Sequence, residues 1–95
     1  LNLYRNKKKK IDNMKYEIFN EFYDNIIKKI HLYASNLIEE CYYEIPLFIF
    51  GKINYNINDA IEYLVYKLNK DIDNGNLKKY IIYEPNIIYI SWSLD

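Results

Sequence analysis

From Lys15 to Leu37 apolar residues return at helical spacing. Phe19, Phe22, Ile26, Ile30, Tyr33 and Leu37 form one stripe, while Glu17, Glu21, Asp24, Lys28 and Lys29 lie mainly off it. This spacing predicts a long amphipathic helix, with Asp24 and Lys28 placed as a favourable i,i+4 pair. The period then changes. Cys41 to Ile45 reads as a strand that must end, bend or lie at an edge at Pro46, because proline has no N–H for a ladder. The short apolar run Leu47–Phe50 stops at Gly51, which suits a sharp change of direction.

Helical spacing resumes in Ala60, Ile61, Leu64, Val65, Leu68 and Ile72. Asn56 or Asn58 is placed to cap this second helix, and Asn74-Gly75 to end it. Two β-rich runs close the chain, Tyr80–Glu84 and Ile87–Trp92, with Pro85-Asn86 as the turn between them and the proline pre-setting its first position. In the last run Ile88, Ile90 and Trp92 share one face and Ile87, Tyr89 and Ser91 the other. The expected fold is α+β in the order α-β-α-β-β, two helices on a small antiparallel sheet with a C-terminal hairpin. Residues 14–95 form the single domain. Residues 1–13 are a polar leader carrying the basic run Lys7, Lys8, Lys9 and Lys10. The chain opens on Leu1, which leaves room for upstream residues, and Met14 is a candidate internal start.

Composition narrows the function classes. With 51% hydrophobic residues in a chain of 95, most of the sequence can bury a core and is not disordered. The formal net charge is zero, so the basic excess that phosphate neutralisation demands of a dedicated nucleic-acid binder is missing. The abundance of Asn, Ile, Lys and Tyr follows from AT-rich codons, and the 12 tyrosines need no stacking role to explain them. A lone cysteine makes a reducing compartment the default. No apolar run of roughly 18 residues and no signal-peptide pattern occurs, so neither a membrane span nor secretion is expected.

The search for chemistry yields little. His31 and Cys41 could pair as base and nucleophile, but no third group orients them. Gly51-Lys52 lacks the rest of a phosphate-binding loop, Asp71 and Asp73 do not continue into a calcium loop, and Glu39-Glu40 reads as loop solvation. No enzyme activity, cofactor or metal is expected. The alternative with most support is nucleic-acid binding by a winged-helix-like variant. It would use Lys7, Lys8, Lys9 and Lys10 together with Lys67, Lys70, Lys78 and Lys79, the latter group near Tyr66 and Tyr80. A true helix-turn-helix would need a third short helix as well.

One ordered set of residues carries a resemblance: Ile45-Pro46, Phe48, Gly51 and Tyr55; then Ile61, Tyr63-Leu64 and Leu68; then Tyr83, Pro85-Asn86 and Ile90-Ser91-Trp92. This resembles a family of small uncharacterised proteins of nucleocytoplasmic large DNA viruses, of the mimivirus and phycodnavirus type. Its pattern runs IP-x-F-x-x-G-x-P-x-Y, a helix, and PN-x-x-x-I-S-W. The likeness spans Ile26 to Trp92. Ile53 replaces the usual proline, and the Asn74–Lys79 loop is longer than usual. The resemblance implies a viral source, acting in host cytoplasm or virion, and leaves the function open. The reading that results is a non-enzymatic viral protein-interaction module, a small virion or assembly component. It would bind a viral structural or assembly protein, or itself, through the long helix, a strand edge, or a loop built on Pro46, Phe48, Gly51 and Tyr55.

Overall fold

A computed structural model describes the backbone over residues 2–92 and the side chains over residues 15–92. Helix α1 runs Asn2–Ser35, strand β1 Glu40–Glu44, helix α2 Ile57–Asp73, strand β2 Lys79–Tyr83 and strand β3 Ile87–Ser91. The sheet is antiparallel throughout in the order β1-β3-β2, so the last strand lies in the middle. The expected α+β class and element order hold.

Helix α1 takes in residues 2–13 as well as the amphipathic stretch, so the backbone of the expected leader is helical. Lysine is a good helix former and a helix already nucleated lengthens at little cost. The side chains of Lys7–Lys10 lie outside the described residues. Phe19, Phe22 and Ile26 are buried and Ile30 and Tyr33 half-buried, as their spacing requires. Leu37 breaks the stripe. It lies beyond the helix with φ +63° and is 91% exposed.

The end of α1 explains that departure. The Ile38 N–H donates to Tyr33 O and the Leu37 N–H to Ala34 O, both at 3.0 Å, the paired bonds of a Schellman motif with Leu37 at its left-handed position. Ser35 Oγ and Asn36 Nδ2 both donate to Leu32 O, at 2.7 and 2.9 Å. The terminal carbonyls are thus satisfied even though a leucine, not a glycine, makes the turn.

Helix α2 is capped by Asn56, whose side-chain oxygen accepts from the Asn58 N–H at 2.8 Å. It ends in the same motif: Gly75 has φ +79° and donates to Ile72 O, and the Asn76 N–H donates to Asp71 O at 2.8 Å. Ala60, Leu64 and Leu68 are fully buried, with Ile61 and Ile72 packed beside them. They meet the α1 residues, Cys41 and Ile45 of the β1 segment, Leu77, and Ile88 and Ile90 of β3 in one core. Replacing a fully buried leucine such as Leu64 by alanine would cost about 2–5 kcal/mol. An ion pair joins Lys15 of α1 to Asp59 in the first turn of α2, where a negative charge also meets the helix dipole. Among the described residues Asp24 and Lys28 form no such pair: an exposed i,i+4 ion pair stabilises by only about 0.3–0.5 kcal/mol, too little to hold two side chains together.

The hairpin joins Tyr83 to Ile87 through three residues, Glu84, Pro85 and Asn86, and the Glu84–Pro85 bond is cis. The proline therefore follows an extra loop residue and does not open a two-residue turn. Trp92 is half-buried against the core, and its N–H donates to Glu39 O at 3.1 Å.

Candidate protein-docking loop

Between β1 and α2 the chain makes a compact loop, residues 46–55, built from two consecutive turns. The Lys52 N–H donates to Ile49 O at 3.0 Å, with Gly51 at φ +81° in the third position, as a type II turn requires. The Tyr55 N–H then donates to Lys52 O at 3.2 Å. The ends of the loop are fastened together, because the Tyr55 hydroxyl donates to the Pro46 carbonyl. Tyr55 is itself wedged edge-on against Phe22 at 6.0 Å and Phe19 at 6.4 Å. Burial pushes its hydroxyl pKa up to about 12, so the donor stays protonated at any physiological pH.

This anchored frame turns apolar side chains outward. Ile49 packs against the core, but Phe48, Phe50 and Ile53 are 76%, 95% and 98% exposed, and Leu47 is exposed as well. In this loop these apolar side chains do not serve the interior. Pro46 breaks the ladder and two turns follow within ten residues, so the chain reverses before these side chains can reach the core. Behind the loop lies a recess of about 260 Å³ against α1, lined by Lys15, Ile18, Phe19, Lys52, Ile53 and Tyr55 among others.

Of the expected loop residues, Pro46 and Tyr55 form the clasp, Gly51 makes the turn and Phe48 is presented to solvent. Phe50 and Ile53 were not singled out by sequence. Their positions next to Gly51 and in the Lys52–Tyr55 turn were the available signal.

The lysines expected at nucleic acid are distributed differently. Lys67 is half-buried with its ammonium over the rings of Tyr23 and Tyr63, at 5.6 and 5.7 Å. Lys70 sits 4.4 Å from the Tyr66 ring centre, and Lys79 lies 5.9 Å from that of Tyr89. Lys78 is exposed at the entry to β2, its N–H donating to Ser91 O at 2.8 Å. No third helix occurs among the described residues.

Several tyrosines tie acidic or amide side chains to the frame, which spacing alone did not reveal. The Tyr23 hydroxyl donates to Asp71 Oδ2 at 2.5 Å, the Tyr89 hydroxyl to Glu40, and the Tyr80 hydroxyl to Asn69 Oδ1 at 2.8 Å. Burial, then the Asp71 carboxylate, raises the Tyr23 pKa well above its ordinary value. His31 is exposed on α1 while Cys41 is buried in the sheet, and neither lines the recess behind the loop. Burial pushes the Cys41 thiol pKa up, the reverse of an activated nucleophile. Among the described residues no three His, Cys, Asp or Glu side chains gather as a metal site, and no helix is long and apolar enough to cross a membrane.

Residues 2–69 match a family of unknown function, DUF5759. No curated protein and no solved structure matches the chain.

Proposed function

This chain belongs to the DUF5759 family, and we propose that it is a protein-interaction module that docks another protein chain through the Pro46–Tyr55 loop. The observation that carries the reading is the outward display of Phe48, Phe50 and Ile53 on a loop whose two ends are clasped by Tyr55 and Pro46. A pre-organised loop loses little freedom on binding, so the apolar area it presents is converted into affinity with less loss. Burying the three side chains supplies about 4.5–9 kcal/mol at 1.5–3 kcal/mol each. Association itself costs about 4–15 kcal/mol. The loop is therefore an anchor, and the partner must also engage the flanking recess beside Lys15 and Phe19. A partner segment carrying an acidic group among apolar residues fits that lining, since Lys52 borders it.

The resemblance in the Ile45–Trp92 residues supports a viral source, and with it a small virion or assembly component of a large DNA virus as the setting. Zero net charge and the seating of Lys67 and Lys70 on tyrosine rings weigh against a nucleic-acid role. The test is a photo-crosslinking residue placed at Phe50, or at the exposed His31 of α1 as control, in the full chain expressed in its native setting. One defined protein captured from position 50, lost when Phe48 and Ile53 are changed to serine, supports the reading. Equal capture from both positions overturns it. Mass spectrometry of purified particles separates the virion component from an assembly factor left behind in the host.

A further inference from the structure

We propose that the chain forms a closed homodimer by antiparallel pairing of β2 with β2 of a second copy, extending the sheet from three strands to six. The surface differs from the docking loop, and the inference does not rest on the function proposed above.

The ladder fixes which backbone groups face outward. The Ile45 N–H donates to Asn86 O and the Trp92 N–H to Glu39 O, so odd-numbered β1 residues face β3 and the even-numbered residues of β3 face β1. The N–H and C=O groups of Ile87, Tyr89 and Ser91 then face β2, where their partners are Tyr83, Ile81 and Lys79. It follows that Tyr80 and Ile82 turn their N–H and C=O groups to the free edge of β2, and Tyr42 turns its own to the free edge of β1.

The two edges are treated differently. On β1 the Lys29 ammonium donates to the Tyr42 carbonyl and so occupies the middle of the edge. A lysine placed there is a common way of blocking strand addition. On β2 no side chain or loop among the described residues hydrogen-bonds the outward groups of Tyr80 and Ile82. An open five-residue edge of Lys-Tyr-Ile-Ile-Tyr, with no proline and an unbroken register on β3, is a template for another strand.

That edge is complementary to itself. Outward groups at Tyr80 and Ile82 permit the register in which each faces the other in the second copy, giving four backbone hydrogen bonds around a two-fold axis at Ile81. In this register Ile81 meets Ile81 and Lys79 meets Tyr83. No like charges oppose one another. Ile81 and Tyr83 are already partly exposed on the outer face of the sheet, so pairing covers apolar surface too. Because β1 is capped, growth stops at two copies and yields a closed, isologous pair.

Sedimentation of the full chain tests this, with two sets of variants. A dimer is expected. Ile81→Lys sets two ammonium groups face to face and should raise the dissociation constant at least about tenfold, with an unchanged circular dichroism spectrum. Ile81→Cys should form a disulfide-linked dimer on mild oxidation, because directly opposed residues bring their Cα atoms to about 4.5–5.5 Å. Tyr42→Cys on the capped strand should not. A chain that stays monomeric at every concentration overturns the proposal. So does a dimer that survives Ile81→Lys and in which Ile81→Cys forms no disulfide link.

Discussion

Asn86 holds Ile45 at both of its backbone groups. The Asn86 carbonyl accepts the Ile45 N–H at 2.7 Å, and Asn86 Nδ2 donates to the Ile45 carbonyl at 3.0 Å. The side chain thereby completes a rung of the sheet that the hairpin turn would otherwise leave half made. It does so immediately before Pro46, where the docking loop departs. Both residues are buried, so the Ile45 carbonyl cannot turn to water instead. Asn86→Ala is expected to destabilise the fold by about 1–3 kcal/mol, the cost of a buried acceptor left unpaired. Asn86→Asp, of the same shape but with no donor, should cost at least as much. Urea unfolding checks this: the midpoint should fall at constant slope.

Tyr55 gives the loop a dependence on alkaline pH. Its folded-state pKa is pushed up to about 12, from an ordinary 10, by burial first and the neighbouring Tyr43 second. A raised folded pKa means that the native state holds the proton more tightly than the unfolded chain. Its contribution is whole below about pH 10 and is lost as pH climbs toward 12. Tyr23 and Tyr43 are shifted in the same direction and add to the slope. Tyr55→Phe should therefore flatten, without abolishing, the fall in stability above about pH 10. At neutral pH it should cost about 0.5–1.5 kcal/mol for the lost bond to Pro46. Unfolding curves of both proteins across the alkaline range provide the check.

The elements and their faces were readable in the sequence wherever burial imposes a period. Phe19, Phe22 and Ile26, the Asn56 cap, the Ala60–Leu64–Leu68 stripe and the alternation in β3 all lie where spacing placed them. What escaped is whatever periodicity does not encode. Lys7–Lys10 carry no apolar stripe, yet the α1 backbone runs through them, because helicity and burial are separate properties. Phe50 and Ile53 are as apolar as any core residue, and only the placement of the two turns directs them outward. The loop was legible as a bend at Pro46 and Gly51, but its role as a display surface was not. Strand order was equally hidden, since nothing local says that β3 lies between β1 and β2.

Cys41 should report on opening of the sheet. It is buried in β1, and burial raises its thiol pKa, so the reactive thiolate is scarce and shielded. A thiol reagent should label the native protein only through opening, at a rate that rises with denaturant in step with unfolding. Asn86→Ala should speed the labelling in proportion to its loss of stability if β1 opens with the whole domain. Fast labelling of the unperturbed native protein would contradict the packing of β1 against α1.

The two helix ends offer an internal comparison, since the same pair of hydrogen bonds closes both. At α2 the left-handed position is Gly75, and a Cβ added there would meet nothing within 4 Å. The cost of Gly75→Ala is then purely that of holding an alanine at φ +79°, about 1 kcal/mol. At α1 the same position is Leu37, at φ +63°, with its side chain 91% in solvent and little packing to compensate. Leu37→Gly removes the backbone penalty of about 1–2 kcal/mol and returns part of it as added freedom of the unfolded chain, about 0.4–1 kcal/mol. A net gain of about 0.5–1 kcal/mol is expected. The two substitutions should thus move the thermal midpoint in opposite directions. A loss of stability in Leu37→Gly would mean that the leucine side chain makes a contact this geometry does not contain.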